Sequence, residues 1–516
     1  MSTSYDDKLG IWLPQLRLVF PLMVLTGLGL RIGTVVSSYL RLHKKEVEDR
    51  ISAMPNDILC SILSRLDTKD AVRTSILCSR WSNLYHFLPN YSFSCPCSME
   101  SANSAFVQCS CTAEYKNEYL SAIDRFFQIH RRAGSEKIKS FRLSFCVKRD
   151  FTCHIERWVH HLVGLGVEEL TLKLCYQSEP INISLQKLVC EAAAPGLTFL
   201  HLASSNLEPL NPQQPLKYLK SIKLDFIDSV DVESILSSCP KLESLWLEYC
   251  FLPSKVFVGG GKHLELKSLT IINCYGKELE EIYLCAENLR TLKLGLESDL
   301  ALKFSHPSHV PKLQHVSLNV AYSGDLLHII SWVAKDCSQV ESFCLDLWLG
   351  TSHVAYGLPR KVPTFSRLRQ LDILLEFNDL FYVTQIADLI IHCPLLQILH
   401  LVRREITPHR PHGARSLSPR SHPHLHLKEV ELGGFYGFED EISLVLYILK
   451  SALALERMVL RRNSSCTTKF NKNKGYTEIS WLRESRLSKF DKSKSQVLHQ
   501  QLRGHATSPT VQLVII

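Results

Sequence analysis

The sequence predicts an α/β chain. A small three-helix module precedes a long, irregular solenoid, with parallel strands on its concave face and helices on its convex face. Three observations carry that expectation. Residues 49–88 place apolar side chains at helical spacing in three short runs. From residue 138 onward an apolar-x-x-apolar-x-apolar signature returns thirteen times, at intervals of 22 to 31 residues. The chain is 516 residues long, too long for one simple core, and its 45% hydrophobic and 21% charged residues are ordinary for a globular protein.

Taken in order, residues 1–46 form a hydrophobic extension. Residues 18–36 are apolar over about membrane-spanning length but include Pro21, three glycines and Arg31. They read as an unusual extension, with a membrane anchor as the alternative; Asp6 and Asp7 fit a signal peptide poorly. The helical module spans 47–89. Pro55 suits a first helical position, where its missing N–H is no loss. Ile58, Leu59, Ile62, Leu63 and Leu66 then share one helix face. Asp67-Thr68 stops that helix and offers caps for a second, carrying Ala71, Val72, Ile76 and Leu77. Trp81, Leu84 and Leu88 mark a third. Residues 90–137 are a linker: a Ser/Cys-rich extended loop over 90–111, then a helix over Glu118–His130.

The repeats occupy 138–426, and the pattern persists beyond them. Each match, such as Leu242-Leu245-Leu247 or Leu396-Leu399-Leu401, places a short strand whose flanking leucines point into the core. The residue between them points to the concave face. Arg142, Thr171, His201, Lys223, Trp246, Thr270, Lys293, Ser317, Cys344, Asp372, His400 and Glu431 hold that position and are expected to face solvent. Helices are expected at Val232–Ser238, Leu326–Cys337, Gln385–Cys393 and Glu441–Ala452. One repeat cannot bury its own apolar face, so the repeats must stack. Residues 403–423, rich in Pro, Arg and His, read as an insertion between repeats.

These patterns carry resemblances. Met54-Pro55-Asn56-Asp57-Ile58-Leu59, Asp70-Ala71-Val72-Arg73-Thr74-Ser75 and Cys78-Ser79-Arg80-Trp81 resemble an F-box of the plant type, with Met54 and Ser79 as departures from its pattern. The thirteen signatures resemble leucine-rich repeats. Residues 427–460 and the closing Thr510–Ile516 resemble the FBD domain of plant F-box proteins, so 427–516 is an FBD-like C-terminal region; Asn463–Leu498 departs from that pattern.

The net charge of +8 is lopsided, because residues 461–516 alone hold eleven Lys or Arg against three acids. A solvated basic tail fits this better than a nucleic-acid-binding face, and no nucleic-acid partner is expected. The eighteen cysteines mostly sit singly in apolar patterns, as in a reduced intracellular protein. Cys95-x-Cys97 and Cys109-x-Cys111 are tighter than zinc knuckles, so no metal and no cofactor is expected. Phosphate-loop, nucleophile-elbow and HExxH motifs do not occur, and the chain is not expected to be an enzyme.

The F-box resemblance implies a substrate-recognition subunit of an SCF-type ubiquitin ligase, cytoplasmic or nuclear. The F-box would bind a Skp-family adaptor, and through it a cullin, while the repeats hold an unidentified target protein. Met54, Pro55, Ile58, Leu59, Leu63, Val72 and Trp81 are expected to form or support the adaptor face. Trp246, Glu248, Lys293, Asp346, Asp372 and His400 are expected as exposed target contacts, with Trp246 and Trp348 as aromatic anchors. The alternatives are a small-molecule or hormone co-receptor in the same complex, and a membrane-tethered scaffold that depends on residues 18–36.

Overall fold

A computed structural model describes residues 51–516, apart from segments 96–111, 134–137, 146–151, 175–180, 187–195, 260–264, 275–280, 297–302, 305–308, 322–325, 349–362, 376–381, 405–422, 464–465, 472–475 and 482–491 and the single positions 52, 67, 78, 79, 85, 86 and 185. The hydrophobic stretch at 18–36, most of the His-rich insertion, and Cys97, Cys109 and Cys111 therefore lie outside the described residues. No helix among the described residues is long and apolar enough to cross a membrane. The chain forms two compact units, Met1–Leu59 and Cys60–Ile516.

Helix α1 (Asn56–Leu63) begins in the first unit, where Pro55 predicts it. The Pro55 carbonyl accepts from the N–H groups of Ile58 and Leu59 at 3.1 and 3.2 Å, closing the first turn. In the second unit, α2 (Thr68–Arg73) runs into a single 3-10 turn, Thr74–Ile76, and α3 (Trp81–Leu84) follows. The Thr68 hydroxyl accepts from the Ser92 N–H at 2.7 Å. That bond ties α2 to strand β1 (Asn90–Ser94), part of the stretch expected as a loop. In β1, Tyr91 and Phe93 take the inward places that leucines fill elsewhere. They pack against Phe126 of α4 (Ala113–Ala133), with ring centroids at 4.8 and 5.2 Å. His130 of α4 meets the Tyr91 hydroxyl at 2.9 Å. Asp124 then fastens α4 to α5 (Thr152–Gly164), accepting from Trp158 Nε1 at 2.6 Å and Arg157 at 2.7 Å.

The thirteen signatures all become strands: β2 (Ser140–Phe145), β3 (Glu169–Leu174), β5 (Phe199–Ala203), β7 (Ser221–Asp225), β8 (Ser244–Glu248), β10 (Ser268–Cys274), β12 (Thr291–Leu296), β14 (His315–Ala321), β15 (Ser342–Trp348), β16 (Gln370–Leu375), β17 (Ile398–Arg403), β18 (Glu429–Gly433) and β19 (Arg457–Arg461). With β1 at one end and β22 (Gln512–Ile515) at the other they form one 15-stranded parallel sheet. The register does not slip along the central row. Ser92 aligns with Arg142, Thr171 and His201, and the row runs on through Lys223, Trp246, Thr270, Lys293, Ser317, Cys344, Asp372, His400, Glu431 and Val459 to Val514. A one-residue slip would turn each buried leucine outward, so the apolar pattern fixes this alignment.

Opposite that row lies the core, with Leu143, Leu172, Leu202, Leu224, Leu247, Ile271 and their successors almost wholly buried. Its other wall is helical: α6 (Val232–Ser238), α7 (Leu326–Lys335), α8 (Tyr382–Ile391) and α9 (Glu439–Ser451). In some repeats a second short strand replaces the helix. β4 (Ile181–Ile183) pairs with β6 (Ser205–Leu207), and β11 (Glu281–Cys285) lies between β9 (Lys255–Gly259) and β13 (Lys303–Phe304). Cys250 extends the Leu242-Leu245-Leu247 signature by three positions. It is buried, and its thiol donates to the Leu224 carbonyl of the preceding repeat at 3.4 Å. After β19 an antiparallel hairpin, β20 (Cys466–Asn471) with β21 (Tyr476–Trp481), precedes α10 (Lys492–Arg503) and β22.

Candidate protein-interaction surfaces

The residues expected at the adaptor face divide by burial. In the first unit Met54 and Ile58 are half-buried, Pro55 is exposed and Leu59 is fully buried. In the second, Leu63 and Trp81 are buried and Val72 is exposed. Leu59, Leu63 and Trp81 are therefore core side chains and not surface ones, as expected where a small helical module uses its largest apolar residues to build a core. Three apolar residues not singled out as adaptor contacts stand further out: Ile76 is 77% exposed, Phe87 52% and Leu77 47%. Ile76 comes four residues after the exposed Val72, so an unbroken helix would hold it on the same outer face.

The concave face is uneven. In its first half Arg142 is exposed, and Lys223, Trp246, Glu248 and Lys293 are half-buried. The Trp246 ring lies under the Lys223 ammonium, 4.6 Å from ring centroid to Nζ. Its Nε1 donates to Glu248 at 3.1 Å, and Lys223 donates to the same carboxylate at 2.9 Å. Lys223 also pairs with Asp225 at 3.3 Å, which takes His201 Nε2 at 2.6 Å. The indole is thus held in one orientation with part of its surface open. Burial lowers the His201 pKa below its usual value, outweighing the Asp225 carboxylate, so the ring is neutral near pH 7. Lys293 makes no ion pair among the described residues and faces the same open stretch.

Seven of the twelve row residues expected to face solvent are buried, Thr171, His201, Thr270, Ser317, Cys344, Asp372 and Glu431, and so is Asp346 among the expected target contacts, which corrects the expectation of a solvent-facing row. Asp372 is 0% exposed. It accepts from Gln370 Nε2 at 2.9 and 3.2 Å and from His400 Nδ1 at 2.8 Å. Asp346 is also buried and takes both terminal nitrogens of Arg404, at 2.9 and 3.1 Å. His400 is half-buried; burial alone would lower its pKa, but the Asp372 hydrogen bond and charge, helped by Glu431 and Glu429, raise it. Trp348 is the last residue of β15, opposite Ala321 in the register. The cover is the β20–β21 hairpin: Cys466 packs with Cys344, Leu374 and Val402, and β21 lies against β14. No single-sequence pattern links residue 466 to residue 344, so nothing local signals this contact.

Two family models match the chain. The leucine-rich-repeat domain described as At1g61320/AtMIF1 matches residues 128–500, and the F-box domain matches residues 51–84. The chain belongs to the plant F-box/leucine-rich-repeat proteins. It is 26% identical to the Arabidopsis thaliana F-box/LRR-repeat protein At3g59200, over 69% of each chain. It is 25% identical to the F-box/FBD/LRR-repeat protein At5g56420 of the same organism, over 81% of this chain and 93% of that one. Among solved structures, the crystal structure of a TLR13-ssRNA13 complex is similar at 14% identity and a TM-score of 0.35, covering 74% of this chain and 54% of that one.

Proposed function

We propose that the chain is a substrate-recognition subunit of an SCF-type ubiquitin ligase. Its F-box docks on a Skp-family adaptor and through it on a cullin, and its concave face holds a protein for ubiquitination. The division of labour is 47–89 for docking, 138–426 for the target and 427–516 for closing the array. The chain supplies position and no bond chemistry: it raises the effective concentration of a target lysine near a charged ubiquitin carrier.

The observation that carries the reading is the exposed aliphatic pair Ile76 and Leu77, with Val72 also exposed, within the F-box match. Burying one such side chain stabilises a complex by about 1.5–3 kcal/mol, so these residues have reason to be outside only if a partner covers them. On the target side, Trp246 is the preferred anchor, a large ring already fixed by Lys223 and Glu248. Lys293 and Glu248 flank it on the open half, and His400, Asp346, Asp372 and Trp348 belong to the other half. Cys153, Cys250, Cys274, Cys285, Cys337, Cys344, Cys393 and Cys466 are free thiols, which fits a cytoplasmic or nuclear setting.

Calorimetric titration with a purified Skp-family adaptor tests the reading, comparing the natural chain with an Ile76→Asp/Leu77→Asp variant. Both positions are on the surface, so the fold is expected to change by no more than about 0.5 kcal/mol. Adaptor affinity is expected to fall at least tenfold. Equal binding by both chains, or none by the natural chain, rejects the docking role.

A further inference from the structure

We propose that the rim of the concave face at the C-terminal ends of β7 and β8 is a docking surface for an arginine-bearing segment of the target, with the guanidinium seated on the stacked rings of Phe226 and Tyr249. The proposal rests on the target-holding role of the concave face and names the class of target that face selects.

Phe226 and Tyr249 directly follow β7 and β8, one in each repeat. Their ring centroids are 4.6 Å apart and their planes 3° apart. Neighbouring strands lie about 4.8 Å apart, so rings at equivalent positions of adjoining repeats stack at the spacing of the sheet itself. Both residues are half-buried, and neither touches another ring among the described residues. Ser204 and Asn273, at the equivalent positions on either side, carry no ring, so the stack stops at two. The rings are also held at a cost, because φ is 54° at Phe226 and 52° at Tyr249, a region that bulky side chains rarely adopt. Strain of this kind collects where a surface works on a partner.

Charge selects the occupant. Asp225 and Glu248, the last residues of β7 and β8, are the chain neighbours of the two rings. Asp228, two residues beyond Phe226, is exposed and makes no ion pair among the described residues. Against these three carboxylates stands one ammonium, Lys223, 2.9 Å from Glu248 and 3.3 Å from Asp225. His201 adds no positive charge near pH 7, since burial holds it neutral. The opposite ends of β7, β8 and β10 have the other sign, with Lys217, Lys220, Lys241 and Lys267 against Glu243 and Glu265. The negative excess therefore belongs to the ringed rim. Arginine suits both features of that rim, because its planar guanidinium stacks on aromatic faces and pairs with carboxylates. Trp246, bonded through Nε1 to the same Glu248 at 3.1 Å, is placed to receive an apolar neighbour of the arginine.

Panning a phage-displayed library of random dodecapeptides on the full chain tests the surface before any target is identified. Selected peptides are expected to carry arginine about threefold more often than the input library. Phe226→Asn/Tyr249→Asn removes both rings and keeps the turns, since asparagine tolerates the left-handed backbone. Asp228→Lys changes only the surface and leaves the fold intact. Fluorescence anisotropy with the strongest selected peptide is expected to show binding about tenfold weaker to the double variant and about threefold weaker to Asp228→Lys. Replacing the peptide's arginine by lysine is expected to weaken binding about threefold. Phe257→Ser, which breaks a second ring stack, Phe257 with Tyr283 on the convex side, is expected to leave binding unchanged. No selected peptide, no enrichment of arginine, or unchanged binding in either rim variant overturns the proposal. Adaptor binding uses neither ring, so the docking rim and the ligase reading fail separately.

Discussion

His201 and His400 occupy the same row of the sheet, each against an aspartate, and respond to pH in opposite senses. At His201 burial wins and the folded pKa lies below 6.5, with Lys173 and Lys223 adding to the effect and Asp225 opposing it. Its contribution to stability is present above pH 6.5 and is lost as pH falls through and below that value. At His400 the contest between burial and Asp372, aided by Glu431 and Glu429, ends with the folded pKa above 6.5. Its contribution is full below pH 6.5 and is lost as pH rises through the folded pKa. Melting temperatures measured from pH 5 to 8 are expected to show His201→Gln flattening the acid limb and His400→Gln the alkaline limb. The same slopes in both variants and the natural chain reject this assignment. A second residue-scale feature is backbone strain. Ser204, Phe226 and Tyr249 follow β5, β7 and β8, and Asn273 lies near the end of β10; each comes four residues past the same apolar position, and all have φ between 51° and 56°. Glycine occupies that region without steric cost. Ser204→Gly is therefore expected to raise stability by about 0.5–1 kcal/mol in thermal or urea unfolding; a loss of stability refutes the strain argument. None of the four is a glycine, so the turn ladder is not legible from residue types. The leucines beside it are.

Elements show most clearly what single-sequence reasoning can reach. Strands from β2 to β19 were legible because each leucine pair answers to its own repeat's core. The helix α6 begins and ends where Asp231 and Cys239-Pro240 place it, Asp231 accepting from the Ser234 N–H at 3.1 Å. β1 was not legible: NYSFS has no leucine, and its aromatic side chains find their partners on a helix more than thirty residues away. The covered state of Asp372 and Asp346 was not legible either, since it depends on a hairpin more than ninety residues downstream of Asp372. Between these extremes lies Glu441, whose place in a Glu-rich helix start was visible but whose task was not. One of its carboxylate oxygens accepts from the N–H groups of Tyr436, Gly437 and Phe438, at 2.9, 2.8 and 3.0 Å, and the other pairs with Arg403 of β17. It fixes the turn after β18, the start of α9 and the neighbouring repeat at once. Glu441→Ala leaves the half-buried Arg403 guanidinium without its carboxylate and three N–H groups short of an acceptor. It is expected to cost about 3–4 kcal/mol, with faster amide exchange at residues 434–438. Glu441→Gln, which keeps an acceptor oxygen, is expected to cost less than half as much. Equal losses in the two variants contradict the acceptor role.

Along the sheet, stability is a sum of interfaces between neighbouring strands, supplemented in the second half by contacts that skip repeats, Arg404 with Asp346 and Cys466 with Cys344, Leu374 and Val402. The C-terminal interface is closed by β22 and the segment before it. Thr507 donates its N–H to the Leu449 carbonyl and Ser508 its hydroxyl to the Leu455 carbonyl, while Gln512 and Ile516 donate to Glu456 and Leu460. Leu502 of α10 is fully buried. Deleting residues 504–516 strips β19 of its outer partner, leaving the N–H and C=O groups of Arg457–Arg461 as a free edge beside apolar Met458 and Leu460. A free parallel edge recruits other chains, so the shortened protein is expected to self-associate with rising concentration in light scattering, where the full chain does not. Linear coupling also says where the damage stops. Amide exchange is expected to accelerate in β17, β18 and β19 and to stay within twofold of the natural values in β2 through β8, because those strands exchange their hydrogen bonds with other neighbours. The adaptor affinity, which depends on residues far upstream of the deletion, is expected to be unchanged. Exchange that accelerates evenly from β2 to β19 means the array melts as one cooperative body, and the nearest-neighbour account of its stability then fails.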